Sequence, residues 1–330
     1  MGQARRQDRD HFAREHGLFG NGLTQGLPIR VRLLGTAAGG GLPQWNCSCL
    51  NCLQAREGRI PARTQSGVAV SADGKAWFLI NASPDLRAQI EAFPDLHPSP
   101  ESKRNTPIEA VLLTNADLDH VLGLFLLREA GQLRVIAPEA VFETLSRDLR
   151  LVEILAPFCR IEHYQPPVES SAPLPVRAEK SPTLRFRAIP LSSKPPPFAQ
   201  GEAREGIQSV AYEITDETTK GRLLVAPDVA AVTPELQQAM ESADAVLFDG
   251  TFWSNHEFEE ITGRKRTADD MGHLTIRDGS LDFLRKTKAR HKIYFHINNT
   301  NPILRTGSPE QLEVERAGVI VGRDGLEFEV

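Results

Sequence analysis

Ala110-Val111-Leu112-Leu113-Thr114-Asn115-Ala116-Asp117-Leu118-Asp119-His120 is the stretch on which the reading of this chain turns. Its apolar start, 110–113, predicts a buried strand, and a helix is expected over 118–129 with Leu122, Leu126 and Leu127 on one face. Where strand gives way to helix fall two carboxylates and an imidazole, Asp117, Asp119 and His120. Asp119 and His120 are neighbours at a strand-to-helix turn, where their side chains can splay around one metal ion. Equally, Asp119 could cap the helix and His120 lie at the surface; the dipeptide alone does not choose.

Further along, apolar strands again end in groups able to bind a metal or move a proton. Leu223-Leu224-Val225 runs into Asp228, Val246-Leu247-Phe248 into Asp249, and Ile293-Tyr294-Phe295 into His296. Ligand sites of α/β proteins gather at strand carboxyl ends, so these groups could converge. His296 would then join Asp119 and His120. Two histidines and one carboxylate leave positions open and favour iron(II) and oxygen chemistry, although zinc also accepts them. Asp249 and His273, the latter in Met271-Gly272-His273-Leu274-Thr275, make an acid–base couple in which the carboxylate orients the ring and raises its pKa. The plainer alternative is that Asp249 opens a turn with Gly250 and His273 starts a helix.

Cys47-Ser48-Cys49-Leu50-Asn51-Cys52 holds three of the four cysteines. They lie on a long loop that follows Gly39-Gly40-Gly41 and runs to about residue 62. Thiolates this close suit a tetrahedral zinc better than a disulfide, and zinc would pin the loop and add folding energy. An iron–sulfur cluster wants a fourth thiolate, and Cys159 lies in no matching context. The fourth ligand stays open between Asn299, an acid, Cys159 and water; Cys159 is expected as a buried small apolar residue. Without a Gly-Lys-Ser/Thr, the glycines are not a phosphate loop.

The remaining pattern sets the architecture. A strand is expected over 29–34, a hairpin of 67–71 and 76–80 around Ala72-Asp73-Gly74, and a helix over 84–93. Strands and helices then alternate, with strands at 135–137, 184–190, 209–214, 222–226, 245–249, 292–297, 319–321 and 326–330, and helices at 138–146, 234–242 and 280–286. Hairpins followed by such alternation imply two mixed sheets sandwiched between helices. Residues 1–26 read as a polar extension, helical over 5–15, and 27–330 as a single domain. The net charge of -5 offers no footprint for nucleic acid. No apolar run reaches the roughly twenty residues of a membrane span, and residues 1–21 lack the apolar core of a secretory signal. A cytoplasmic location with reduced thiols is expected, and a homodimer is an assembly the chain allows. His11, His16, His97, His163, His256 and His291 lie in polar surroundings and read as surface residues. Trp45 and Trp253 would either line a pocket or pack in a core.

Thr114-Asn115-Ala116-Asp117-Leu118-Asp119-His120 resembles the His-x-His-x-Asp-His signature of the metallo-β-lactamase superfamily, with Asn115 and Asp117 in place of two histidines. Within it, the stretch from Gly35 to Cys49, Arg63-Thr64-Gln65-Ser66, Asn81-Ala82-Ser83-Pro84-Asp85, Asp249-Gly250-Thr251-Phe252-Trp253, Asp270-Met271-Gly272-His273-Leu274 and His296-Ile297-Asn298-Asn299-Thr300-Asn301-Pro302-Ile303-Leu304 resemble the pyrroloquinoline quinone synthesis protein B family. The blocks span nearly the whole chain from about residue 29.

The resemblance implies an αββα sandwich and a structural Zn(II) on Cys47, Cys49 and Cys52. It implies active-site Fe(II) on Asp119, His120 and His296, with Asp117 as a further ligand and Asp249 and His273 as a polar pair lining the site. It also implies iron- and O2-dependent hydroxylation of the tyrosine ring of a cross-linked glutamate–tyrosine dipeptide, cut from a precursor peptide. Hydrolytic members of the superfamily bind two zincs through several histidines. Here Asn115 is a poor ligand, and Ser192-Ser193-Lys194-Pro195 stands where another histidine is expected, which weakens metal-hydroxide chemistry. Asp228 falls where those hydrolases place a bridging carboxylate. A zinc-dependent phosphodiesterase or esterase and a non-catalytic carrier of the quinone are therefore the alternatives.

Overall fold

A computed structural model of the chain describes residues 27–176, 183–192, 195–199 and 205–330. The proposed extension 1–26, with His11 and His16, and Ser193 and Lys194 lie outside the described residues. In the strand Arg222–Ala226, Leu223 and Val225 face one way and Leu224 and Ala226 the other, yet all four are buried. Ala245–Asp249 repeats the pattern, with Ala245 and Leu247 opposite Val246 and Phe248. Strands apolar on both faces must be covered on both, and the fold covers them with a second sheet on one side and helices on the other.

The first seven-stranded sheet consists of β1 (Arg30–Gly35), β2 (Gly67–Ser71), β3 (Trp77–Ile80), β4 (Ile108–Leu112), β5 (Gln132–Ile136), β6 (Arg160–Tyr164) and β14 (Glu327–Glu329), in the order β14-β1-β2-β3-β4-β5-β6. The second consists of β7 (Ala172–Pro173), β8 (Leu184–Leu191), β9 (Ser209–Asp216), β10 (Arg222–Ala226), β11 (Ala245–Asp249), β12 (His291–Phe295) and β13 (Ile320–Val321), in the order β13-β12-β11-β10-β9-β8-β7. Their inner faces meet in one core that includes Val70, Phe78 and Leu112 from one sheet and Leu223, Leu247 and Phe295 from the other. Tyr212 ties the two together, its buried hydroxyl donating to Leu113 O at 2.9 Å. Helices Glu139–Arg147 and Leu151–Leu155 cover the first sheet; Pro234–Ser242, Leu281–Lys286 and Pro309–Arg316 cover the second. This is the αββα sandwich expected. No helix among the described residues is long and apolar enough to cross a membrane.

Register decides where the chemistry falls. β10, β11 and β12 are parallel, with Ala226 opposite Phe248 and Asp249 opposite Phe295. The residues after these strands therefore leave the sheet at one edge, which brings Asp228, Asp249 and His296 together although they are far apart in sequence.

The helix expected over 118–129 is corrected. Only Leu118–Val121 is α-helical; Leu122–Ala130 winds as a tighter 3-10 helix. The cause is the neighbouring segment after β3. Ala82 N donates to His120 O at 2.7 Å and Gly123 N donates to Ala82 O at 2.8 Å, so backbone groups an α-helix needs are engaged elsewhere. Gly123 permits the approach, since a Cβ there would lie 2.3 Å from Ser83 O. With three residues per turn, the face turned inward is Val121, Leu124 and Leu127, while Leu126 is exposed.

Other expectations also change. His163 is not a surface residue: it stacks on Phe142 at 4.0 Å, with Nε2 2.8 Å from Ala137 O. His291 packs against the ring of Phe328. Trp253 packs in the core, and Trp45 is 85 % exposed. The edge strand β6 and the helices Leu151–Leu155 and Glu257–Thr262 are not anticipated by the sequence pattern.

Candidate functional site

β4 delivers the first two groups. The chain leaves it through Thr114 and Asn115 and enters the short helix with Asp117, not Asp119, at the N-cap position. Asp119 is instead turned toward the glycine loop, where its Oδ2 accepts from Gly39 N at 3.0 Å. His120 is fully buried. Its Nδ1 lies 2.8 Å from Asn115 Oδ1, and its Nε2 lies 3.4 Å from Ser66 Oγ and 3.8 Å from Asp119 Oδ2. The alternatives of a helix cap and a surface histidine therefore do not describe this structure.

His296 arrives from the end of β12 with φ 54°, a left-handed backbone uncommon outside glycine. It is buried and its Nε2 has no hydrogen-bond partner. That atom points at Asp119 Oδ2, 3.4 Å away, and Asp228 Oδ1, 3.7 Å away. These are ion-pair distances without a hydrogen bond, and they leave room for an ion between the groups. One ligand atom each of Asp119, His120 and His296 lie within 4.8 Å of one another, and so do those of Asp228, His273 and His296. The orphaned nitrogen is what a metal would satisfy, so the residues fit one.

Behind His296 runs a chain of hydrogen bonds. Asp249 is buried and accepts four: from Val229 N, Thr251 N, Thr251 Oγ1 and His273 Nδ1, at 2.9, 2.9, 2.6 and 2.7 Å. The single hydroxyl proton of Thr251 goes to the carboxylate, the charged acceptor. His296 Nδ1, 2.9 Å from Thr251 Oγ1, is then the donor of that pair. The proton so placed leaves the Nε2 lone pair facing the carboxylates, the arrangement by which outer groups orient a metal-binding imidazole. Thr251→Val is expected to lower active-site metal affinity about 10–100-fold. Competition with a chelator of known affinity measures it, and an unchanged affinity would remove Thr251 from this role.

The electrostatics agree. Burial opposes charge on His296, yet Asp228, Asp119 and Asp249 push it up to about 10. Burial would raise Asp119, but His120 and His296 hold it well below the usual carboxylate range. Asp117 is pushed up to about 6 by burial and by Asp228 and Asp119. His273 is raised because Asp249 outweighs its burial, and Asp249 is lowered by His273 in return. The field around His296 therefore favours positive charge where the ligand atoms meet. Asn115 Nδ2 donates to both Asp117 Oδ2 at 3.0 Å and Asp228 Oδ2 at 3.1 Å, clamping two like charges. A cleft of about 750 Å³ opens onto these groups. Asp117 lies on its wall, outside both groupings that share His296.

The sulfurs of Cys47, Cys49 and Cys52 also lie within 4.8 Å of one another. Asn299 meets them: its side-chain amide is 3.3, 3.5 and 3.3 Å from the three sulfurs, at the fourth corner of a tetrahedron. Amide nitrogen and oxygen exchange places by a simple flip, which would present Oδ1 to an ion. Cys159 packs in the outer core of the first sheet and takes no part. Burial pushes the Cys52 thiol up to about 12, whereas hydrogen bonds from Cys49, Cys52 and Asn299 hold Cys47 below its ordinary value despite its burial. A buried thiol of this kind becomes a thiolate when a cation compensates it.

Both sites share one segment, since Asn299 follows His296 by three positions. Asn51 Nδ2 donates to Asn299 O and Asn301 O, each at 2.9 Å, and Asn301 Nδ2 donates to Gly250 O at 2.9 Å. Glu257 closes the far side, accepting from Trp253 N at 2.6 Å and Thr300 Oγ1 at 2.5 Å, and burial pushes it up to about 7 from 4.5. A carboxyl that holds its proton more tightly folded than unfolded contributes stability fully below about pH 4.5, and that contribution is lost as pH rises through about 7. Glu257→Gln is expected to flatten the decline of Tm across this window; an unaltered slope would assign the decline to other groups.

The structure thus brings together Asp119, His120 and His296, seats Asp249 on His273, and gathers the three cysteines around Asn299. Two participants escape the sequence pattern, Thr251 and the clamping amide of Asn115. Thr251 was detectable only as the hydroxyl next to the Asp249-Gly250 turn, and Asn115 had the aspect of a lost ligand.

Fold and site together define a protein of the metallo-β-lactamase superfamily, and the Beta-lactamase superfamily domain model matches residues 76–297. Within it, the chain belongs to the coenzyme PQQ synthesis protein B family. It is 40% identical over 305 residues to Coenzyme PQQ synthesis protein B of Methylococcus capsulatus, covering 90% of this chain and 99% of the relative. Against the protein of the same name from Pseudomonas aeruginosa the identity is 39% over 308 residues, covering 92% and 100%. The crystal structure of zinc-bound PqqB from Methylobacterium extorquens aligns with a TM-score of 0.82 at 35% identity, covering 91% of this chain and 100% of that one.

Proposed function

We propose that this chain acts in pyrroloquinoline quinone biosynthesis as an iron- and O2-dependent hydroxylase of the tyrosine ring in a cross-linked glutamate–tyrosine dipeptide. The observation that carries the reading is the grouping of one carboxylate and two imidazoles around the unpartnered His296 Nε2, with a second acid–histidine couple beside it. Iron(II) held by such a set supplies oxygen activation. The chain's own residues do the rest. Asp249 keeps the Nδ1 proton of His273, so Nε2 is the ring nitrogen left to take the phenol proton. Deprotonation makes the ring electron-rich where oxygen enters. Phe252 packs edge-on against His273 at 5.7 Å and fixes its plane. The 750 Å³ cleft has room for a dipeptide-sized ligand. Zinc on Cys47, Cys49, Cys52 and Asn299 would serve structure.

Asp228, close to His273 and His296, favours a second reading, a two-metal hydrolase. Metal content separates them. The hydroxylase needs one active-site ion besides the cysteine site; the hydrolase needs two and cleaves a chromogenic phosphodiester. Anaerobically iron-loaded protein is expected to consume oxygen with the dipeptide. Equal turnover by a zinc-only form would overturn the proposal.

A further inference from the structure

The cleft is acidic. Asp117, Asp119, Asp228, Asp269 and Asp270 line it, and each has a partner. Asp119 accepts from Gly39, Asp117 and Asp228 share Asn115, Asp269 accepts from Asn255 Nδ2 at 2.8 Å, and Asp270 closes a capping box with Thr267. Arg266 is the one arginine or lysine on the wall among the described residues. Its backbone N–H donates to Arg264 O, but its guanidinium makes no hydrogen bond or ion pair with any described residue. Arg266 is exposed on that wall, so its guanidinium is reachable by a ligand in the cleft, and its donor fork matches a carboxylate in two-point fashion.

Arg266 is also mounted on the segment that carries His273. Thr267 caps the helix Ala268–Met271 through both capping-box bonds, and Gly272, at φ 81°, turns the chain into His273. Arg266 and His273 thus stand just before and just after one four-residue helix, with Thr267 and Gly272 as its caps.

We infer that Arg266 pairs with the α-carboxylate of an amino-acid-derived phenol and thereby sets which end of the ligand reaches His273. The phenol in this statement rests on the hydroxylase reading; the charge recognition is measurable without turnover. L-tyrosine and tyramine differ only in the carboxylate, and each is titrated into the zinc-loaded full-length protein. The wild type is expected to bind L-tyrosine about tenfold more tightly, the worth of one charge-assisted pair. Arg266→Gln should erase that preference and Arg266→Lys restore part of it. No preference in the wild type, or the same preference in Arg266→Gln, overturns the assignment. Phenyl phosphate binding more tightly than L-tyrosine would move the recognised group to a phosphoryl oxygen and overturn it as well. If the Arg266-dependent preference is present but the iron form takes up no oxygen with the dipeptide, the hydroxylase reading fails and the carboxylate pairing stands.

Discussion

His120→Ala is expected to empty the active-site metal position while leaving the cysteine site loaded, and to abolish oxygen uptake with the dipeptide. The imidazole is fully buried between Asn115, Ser66 and Asp119, so nothing from solvent replaces it in that geometry. Removing it takes one of the three groups that meet around His296 Nε2 and leaves Asn115 Oδ1 without its 2.8 Å partner. Loss of an outer-shell partner costs about 10–100-fold in affinity, and loss of the ligand itself should exceed that. Elemental analysis of the purified variant, run beside Thr251→Val, gives the ordering: His120→Ala loses more metal than Thr251→Val. A His120→Ala protein that kept its full complement of metal and its turnover would remove Asp119, His120 and His296 as the metal-binding set.

Cys52→Ser is expected to produce the largest loss of stability. Cys52 is buried on the helix Leu50–Arg56, and Asn299 approaches it from the other end of the chain. An ion shared by these groups closes a loop of some 250 residues, and a cross-link of that span is worth about 5.5 kcal/mol in the chain-entropy account. For a chain of this size that corresponds to a fall in Tm of ~8 °C. Because His296 and Asn299 belong to one segment, active-site metal affinity should fall as well. A variant that melts together with the wild type, both before and after zinc chelation, would show that the thiolates tie nothing together.

Much of the fold was legible because its strands are local. The alternation Leu223, Leu224, Val225, Ala226 announces a strand covered on both faces, and two such strands already imply helices outside and a second sheet inside. The hairpin of β2 and β3 was legible from Asp73 and Gly74, whose turn is held by Asp73 Oδ1 accepting from Lys75 N and Ala76 N, each at 2.8 Å. The 3-10 helix after His120 was not legible, because its winding answers to Ala82, a neighbour in space. β6 was missed for a related reason. Arg160, Glu162 and Tyr164 make it look polar, none of its residues is buried, and what makes it a strand is its pairing with β5 at one edge.

For the candidate site, strand ends offered Asp119, His120, Asp249 and His296 as candidates and a glycine-hinged loop offered His273, while the family resemblance chose these roles over the plainer readings. Their common meeting point was not. It depends on the parallel register of β10, β11 and β12, and on β4 facing them from the other sheet.

The amino-acid order by itself determined most of the strands, that both faces of β10 and β11 are covered, that three thiols share one loop, and which ionisable groups stand at strand ends. All of these are set by side-chain period and neighbouring residues, which act within a few positions of the chain. Only the tertiary structure decided that Asn299 sits over the sulfurs, that Thr251 passes a hydrogen bond from His296 to Asp249, and that Arg266 stands unpaired beside the acids. Those relations join residues through backbone register and packing between distant segments, and no local spacing encodes a distance that exists only once the two sheets have closed on each other.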